Sequence, residues 1–275
     1  MPKIESGFNA MQDQILFAIL QGNANLLTQL TQSQLGKAAF MRVYKDNFWF
    51  MDNDPTAMQA ILNSPAAMQA IANSLTAMQA IANSPAAMQA IANSLTAMQA
   101  IILSQTALDQ IRANSSAWQT FINSTTLTRR QVPQMTSNTA PEGTASASSI
   151  YSSDYDAFKA FDKNTGSCWV AASSAFTDQW LGYYFPAGVE VFVHTVSVRN
   201  HTSSWGAKDV RVQRSNDGTN WETVLETTLS NANSNEQVLY VSKSGYARMW
   251  RLFIVNTYGS TPHIYELNFI GFQKP

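Results

Sequence analysis

Three histidines, His194, His201 and His263, and a single cysteine, Cys168, are the residues of this chain best suited to proton transfer, metal binding or nucleophilic attack. None has the company that such chemistry needs. There is no HExxH, no GxSxG and no glycine loop able to cradle phosphate, so the chain is expected not to be an enzyme. Four loops offer a different chemistry. "NHTSSWGAK" gathers Asn200, His201 and Trp205, "SIYSSDYD" gathers Tyr151, Asp154 and Tyr155, "NTYGSTPH" gathers Tyr258 and His263, and "AASSAFTDQ" gathers Phe176 and Asp178. Aromatic planes beside amides, carboxylates and imidazoles cover the apolar face of a small ligand and hydrogen-bond its polar edge. Trp205, in a Trp-Gly pair after a serine-rich loop, reads either as an exposed platform or as a rigid prop.

The elements that must position these loops are short alternating runs separated by turn residues: 180–185, 194–200, 209–215, 221–229, 237–241, 249–255 and 264–271. Many strands and no helix-length pattern predict an antiparallel sandwich over residues 140–275. Asp217-Gly218 marks a hairpin. Residues 125–139 lose periodicity and read as a linker or an entering strand.

Six segments of this half, "AFKAFDKNTGSCW", "QWLGYYF", "VHTVSVRN", "AKDVRVQRSNDGTNWETV", "RMWRLFIV" and "IYELNFIG", resemble in order and spacing the discoidin, or coagulation-factor C-type, family, which includes the family 32 carbohydrate-binding modules. The resemblance spans about residues 140–272. It implies an eight-stranded, galactose-binding-like jelly roll whose loops at one end recognise sugars, lipids or proteins, and it makes saccharide the ligand expected for the loops above. It also places Trp169, Trp180, Trp221 and Trp250 at the family's strand positions, expected in the core, and implies a structural calcium beside the F-D-x-N-T segment. Asp162, Asn164, Thr165, Ser167 and Glu266 match that layout, and Ca²⁺ takes six to eight oxygen ligands. The alternative is that Asp162 caps a turn while Glu266 pairs with an arginine. Cys168 stands alone, so the disulfide of animal members is absent.

The other half is a phrase repeated. From Asp54 a ten-residue register runs through units starting at Ser64, Ser74, Ser84, Ser94, Ser104 and Asn114. Each first residue is an N-cap type, and Pro55, Pro65 and Pro85 stand where a missing N–H costs nothing. Alanine holds the fourth position, Met, Leu or Trp the fifth, and Ile or Phe the eighth, giving one small apolar face on a helix of about two turns. Helices this short are unstable alone. The register therefore predicts a repeat solenoid over 54–124, a zigzag in which only adjacent units touch, making a stalk about 60 Å long at 8–10 Å per packed helix. Ahead of it, residues 1–53 read as a docking or oligomerising segment with a leucine-rich helical pair over 10–37. The aromatic stretch 47–51 is expected to cap the first repeat.

Charged residues make up 13% of the 275, and the net charge is −1, which argues against nucleic acid as a partner. The start carries an apolar run of only six residues and no segment reaches eighteen, so neither a signal peptide nor a membrane span is expected. Docking segment, stalk and sugar-binding head in that order, with repeats that resemble those of phage tail proteins, are the layout of a bacteriophage tail-fibre or receptor-binding protein located in the virion. Its partners would be cell-surface polysaccharide or lipopolysaccharide sugar and, through the N-terminal segment, other tail or baseplate proteins. It would be a homo-oligomer, most simply a trimer. A bacterial surface adhesin, an accessory module of a glycan-acting enzyme and a purely structural virion protein are the alternatives.

Overall fold

The computed structural model describes residues 2–47, 54–241, 243 and 245–275, and the chain divides into two compact units, Met1–Leu127 and Thr128–Pro275. The first is helical. It opens with α1 (Pro2–Leu20), α2 (Ala24–Leu30) and α3 (Gln34–Asp46). Gly22, at φ +66°, ends the first helix, and the Asn23 carboxamide starts the second by accepting from the Leu26 amide at 3.0 Å. The expected pair is thus three helices. Much of their core comes from Phe40, Val43 and Tyr44 on α3, while Leu35 is exposed. The stretch 47–51 lies outside the described residues except for Asn47, the C-cap of α3.

The decapeptides form α4 (Pro55–Leu62), α5 (Pro65–Ala72), α6 (Leu75–Ala82), α7 (Pro85–Ala92), α8 (Leu95–Ile102), α9 (Gln105–Ala113) and α10 (Ser115–Ile122). Each starts at its cap residue, whose side chain accepts from the third amide of the helix, as Ser64 does from Ala67 at 3.3 Å and Asp54 from Ala57 at 3.1 Å. The fourth, fifth and eighth positions are buried, with Met58 half-buried. So is the ninth, at Leu62, Ala72, Ala82, Ala92, Ile102 and Ile122.

That extra buried position corrects the zigzag. Helices touch their sequence neighbours, but they also pack three units apart: α5 on α8, α6 on α9 and α7 on α10. Junctions stack the same way. The Ser94 hydroxyl donates to the Leu62 carbonyl at 3.0 Å, Ser104 to Ala72 at 2.6 Å and Ser124 to Ala92 at 2.5 Å. Three short helices therefore complete one turn of a coil, and each buries two sides, one against its neighbour and one against the turn below. A row of seven side-by-side helices about 60 Å long is not what forms. α1, α2 and α3 stand in for the preceding turn, with the Thr28 and Ser64 hydroxyls 2.8 Å apart.

The second unit is an antiparallel sandwich of β1 (Arg129–Gln131), β2 (Thr144–Ala147), β3 (Trp169–Val170), β4 (Gln179–Tyr184), β5 (Val191–Asn200), β6 (Asp209–Ser215), β7 (Glu222–Thr228), β8 (Glu236–Tyr240), β9 (Met249–Ile254) and β10 (His263–Gln273). One sheet runs β1-β10-β5-β8 with β3 also on β10, and the other runs β2-β4-β9-β6-β7. Short β1 and β3 take the described strands beyond the expected eight. β1 is the entering strand, pairing Arg129 with Phe272 inside the stretch 125–139. Phe161, Trp169, Tyr183, Phe185, Trp250 and Phe269 fill the core. The expectation for Trp180 and Trp221 is corrected: both are half-buried outside it. Their positions alternate with inward residues, and a side chain one place along a strand faces the other way.

Candidate functional site

At one end of the sandwich emerge the chain ends of β2, β3, β5 and β9 and the starts of β4, β6 and β10, so the four loops singled out by residue type emerge together. Backbone bonds tie them. Tyr151 donates to the Val170 carbonyl at 2.9 Å, and Val170 pairs with His263 across β3 and β10. Ser260 donates to Ser204 at 2.9 Å, joining the Trp205 loop to the Tyr258 loop.

Trp205 is 45% exposed. Its indole lies nearly parallel to the His263 imidazole, at 11° and 5.1 Å between centroids, and His201 meets it edge-on at 5.1 Å. Tyr265, which residue types did not single out, stacks on the other side of His201 at 5.4 Å and 17°. Tyr265 sits next to Ile264 on β10, and its only sequence signal was alternation with buried neighbours. His263 is drawn down to about 4, by burial first and then by the charge of His201, so at neutral pH it backs the indole as an uncharged ring. Ser203 holds the loop in the left-handed region at φ +64°, and its carbonyl accepts from Asn231 at 2.9 Å.

Two other candidates turn out to be supports. Asn200 is fully buried. Its carboxamide donates to Ala207 at 2.8 Å and Ser230 at 3.2 Å and accepts from the Ala207 amide at 2.9 Å, so it pins both ends of the Trp205 loop. The Tyr258 hydroxyl donates to the Leu229 carbonyl at 2.8 Å, and Lys208 lies over its ring. Tyr151 and Tyr155 are exposed and meet edge-to-face at 6.0 Å, with Asp154 exposed in the turn between them. Phe176 and Asp178 are exposed in a loop where Ser174 and Asp178 both have positive φ. Among the described residues, no ring contact joins either pair to the Trp205 cluster.

The proposed calcium ligands lie at the side of the β1-β10-β5-β8 sheet. Asp162 accepts from the Asn164 amide at 2.9 Å and the Ser167 hydroxyl at 2.7 Å, while the Asn164 carboxamide accepts from Gly166 at 3.0 Å. Asn164 and Ser167 thus close the loop on itself. Glu266 and Thr165 line a cavity of about 400 Å³ with Lys163, Arg199, Glu236 and Asn268. Glu266 Oε1 is buried without a hydrogen-bond partner, and no ion pair joins Glu266 to an arginine among the described residues. Burial pushes its carboxyl up to about 7, against the pull of Lys163. Glu266 and Thr165 offer oxygens of the kind a hard cation takes, while Lys163 and Arg199 line the same cavity and, among the described residues, no three acidic, histidine or cysteine side chains gather to hold a metal.

Residues 159–252 match the family model of the F5/F8 type C domain described as NedA-like, galactose-binding. No curated protein matches the chain. Similar solved structures include a family 32 carbohydrate-binding module of NanJ from C. perfringens in complex with galactose, 21% identical over 52% of this chain and 99% of that one, with a TM-score of 0.42. The C-terminal domain of a chitobiase from Bacteroides fragilis is 22% identical over 50% and 98%, with a TM-score of 0.42. Chitosan-binding module 1 of a Paenibacillus chitosanase/glucanase is 25% identical over 49% and 98%, with a TM-score of 0.40. Among the described residues, no helix is long and apolar enough to cross a membrane. The C-terminal unit carries, over residues 159–252, a galactose-binding-like domain of the F5/F8 type C family.

Proposed function

We propose that this chain is a non-catalytic attachment protein that grips glycan through the loop end of its C-terminal unit. The observation that carries the reading is the Trp205 indole, 45% exposed and stacked on the His263 imidazole. Such a ring is preset to stack on the C–H face of a pyranose, with His201 at hand for its oxygens. The family description supports a galactose-type ring. Calcium is the ion assigned to Asp162, Thr165 and Glu266, and its role is structural: to neutralise a buried carboxylate and fix the 162–167 loop.

A glycan screen of the full chain, with and without a chelator, tests both points. Galactose-type ligands should be retained by the wild type and weakened about tenfold or more in Trp205→Ala at unchanged melting temperature, roughly the worth of one stacked aromatic. Chelation should lower the melting temperature. Equal binding by wild type and Trp205→Ala defeats the loop assignment, and a melting temperature indifferent to calcium defeats the metal assignment.

For the whole chain the reading is a bacteriophage tail-fibre protein, a trimer in the virion, with its helical unit as docking segment and repeat stalk. The exposed Phe17 and Leu20 of α1 support a contact in that segment. An accessory module of a glycan-acting enzyme, outside the cell or on its surface, is supported equally by the C-terminal domain. Antibody labelling of purified phage particles separates the two.

A further inference from the structure

Away from the loops, the open face of the β2-β4-β9-β6-β7 sheet carries a group of aromatic residues around one cation. Leu181, Tyr183, Trp250 and Leu252 point into the core, so alternation sends Trp180 and Tyr184 on β4, and Arg251 and Phe253 on β9, outward. The Arg251 guanidinium lies 3.9 Å from the centroid of Trp221, 5.5 Å from Trp180 and 5.4 Å from Phe253. Its Nε donates to the Gln213 carboxamide at 2.8 Å. Gly182 lies between Trp180 and Tyr184, where β4 and β9 pack so closely that a Cβ would meet the Trp250 carbonyl at 2.7 Å and the Arg251 Cβ at 3.0 Å.

The other two arginines of this sheet have anions: Arg211 holds Glu226 and Arg214 holds Glu222, each at 2.9 Å. Arg251 has no carboxylate within ion-pair distance among the described residues, and among them only its Nε is hydrogen-bonded. A half-buried guanidinium clamped by rings and lacking an anion is oriented before a ligand arrives, with its terminal N–H pair matched to a carboxylate. The flanking indoles then require the anion to come attached to something flat and apolar on one side.

We propose that this face is a second ligand site that takes a carboxylate-bearing pyranose, a uronic acid unit of a polysaccharide. The carboxylate pairs with the two terminal nitrogens of Arg251, and the sugar ring lies against Trp221 and Trp180. This site is separate from the loop end and does not depend on the Trp205 assignment.

Calorimetry on the full chain with trigalacturonate, its neutral counterpart galactotriose and an acidic glutamate peptide tests the proposal. Trigalacturonate should bind about tenfold more tightly than galactotriose and weaken as salt rises. Arg251→Gln should remove about tenfold of that affinity, Arg251→Lys somewhat less, and Trp205→Ala none. Tryptophan fluorescence of the wild type should change on titration, and Trp221→Leu should abolish most of that change, which keeps the test open if Arg251→Gln does not fold. Equal binding of the two trisaccharides, unchanged affinity in Arg251→Gln, equal capture of the peptide, or loss of uronate binding in Trp205→Ala would each overturn it.

Discussion

Two imidazoles illustrate how burial sets charge. His194 on β5 is almost wholly buried and is driven down to about 3, by desolvation first and then by Arg129, while burial takes His263 to about 4. Unfolded, both would protonate near 6.5. Below that value the unfolded chain binds protons that the folded one refuses. The stability these residues contribute is complete above pH 6.5 and is lost as pH falls toward about 4 for His263 and about 3 for His194. The thermal midpoint should therefore drop steadily across that window, and His194→Gln should shallow the slope; a flat profile would contradict the assignment. At this scale the sequence was partly readable. Trp205, His201 and His263 could be picked by type and do come together, whereas Asn200, equally polar and equally placed, is buried as a pin. Residue type says what a side chain can do, and only the backbone path says whether it faces solvent or a carbonyl.

Among the elements, the serines that begin the repeats are not equivalent. Ser74 is half-buried and its side chain caps α6. Ser104 caps α9 and also donates to the Ala72 carbonyl one turn of the coil away. Ser74→Ala should cost about 1 kcal/mol, the ordinary worth of a cap. Ser104→Ala should cost about 2–4 kcal/mol, since it also strips a buried acceptor of its donor. Urea unfolding of the two variants checks this, and equal losses would mean that the link between turns contributes nothing. The start of each helix was legible because cap, proline and alanine recur in phase. The stacking by threes was not. It depends on the bend between one helix and the next, set by an asparagine near φ −90° followed by an extended serine, and the apolar pattern does not encode that angle. The ninth position, alanine in three of the seven units and arginine in one, concealed the second buried side.

At the scale of the whole molecule, composition changes from Ala, Met and Gln to Trp, Tyr, Val and Thr, and the boundary between the compact units, after Leu127, falls inside the stretch 125–139. Strand runs and the Asp217-Gly218 turn gave the sandwich; the turn's carboxylate accepts from the Thr219 and Asn220 amides at 2.8 Å each. The short strands β2 and β3 escaped notice because two to four residues carry little periodicity, whereas β1 falls in the stretch read as a linker or an entering strand. The proposed trimer belongs to this scale. Light scattering of the full chain should give about three times the mass of one chain, and a single-chain mass at working concentration would remove the trimer.

The coil has a natural unit of length longer than the motif that spells it. Because five of its seven units begin with a serine cap, gaining or losing one serine-led decapeptide by genetic slippage would keep the capping scheme, yet it would swing the chain's exit by a third of a revolution. Thirty residues restore the original heading. Copy number in such an array is therefore a dial for direction as well as for reach.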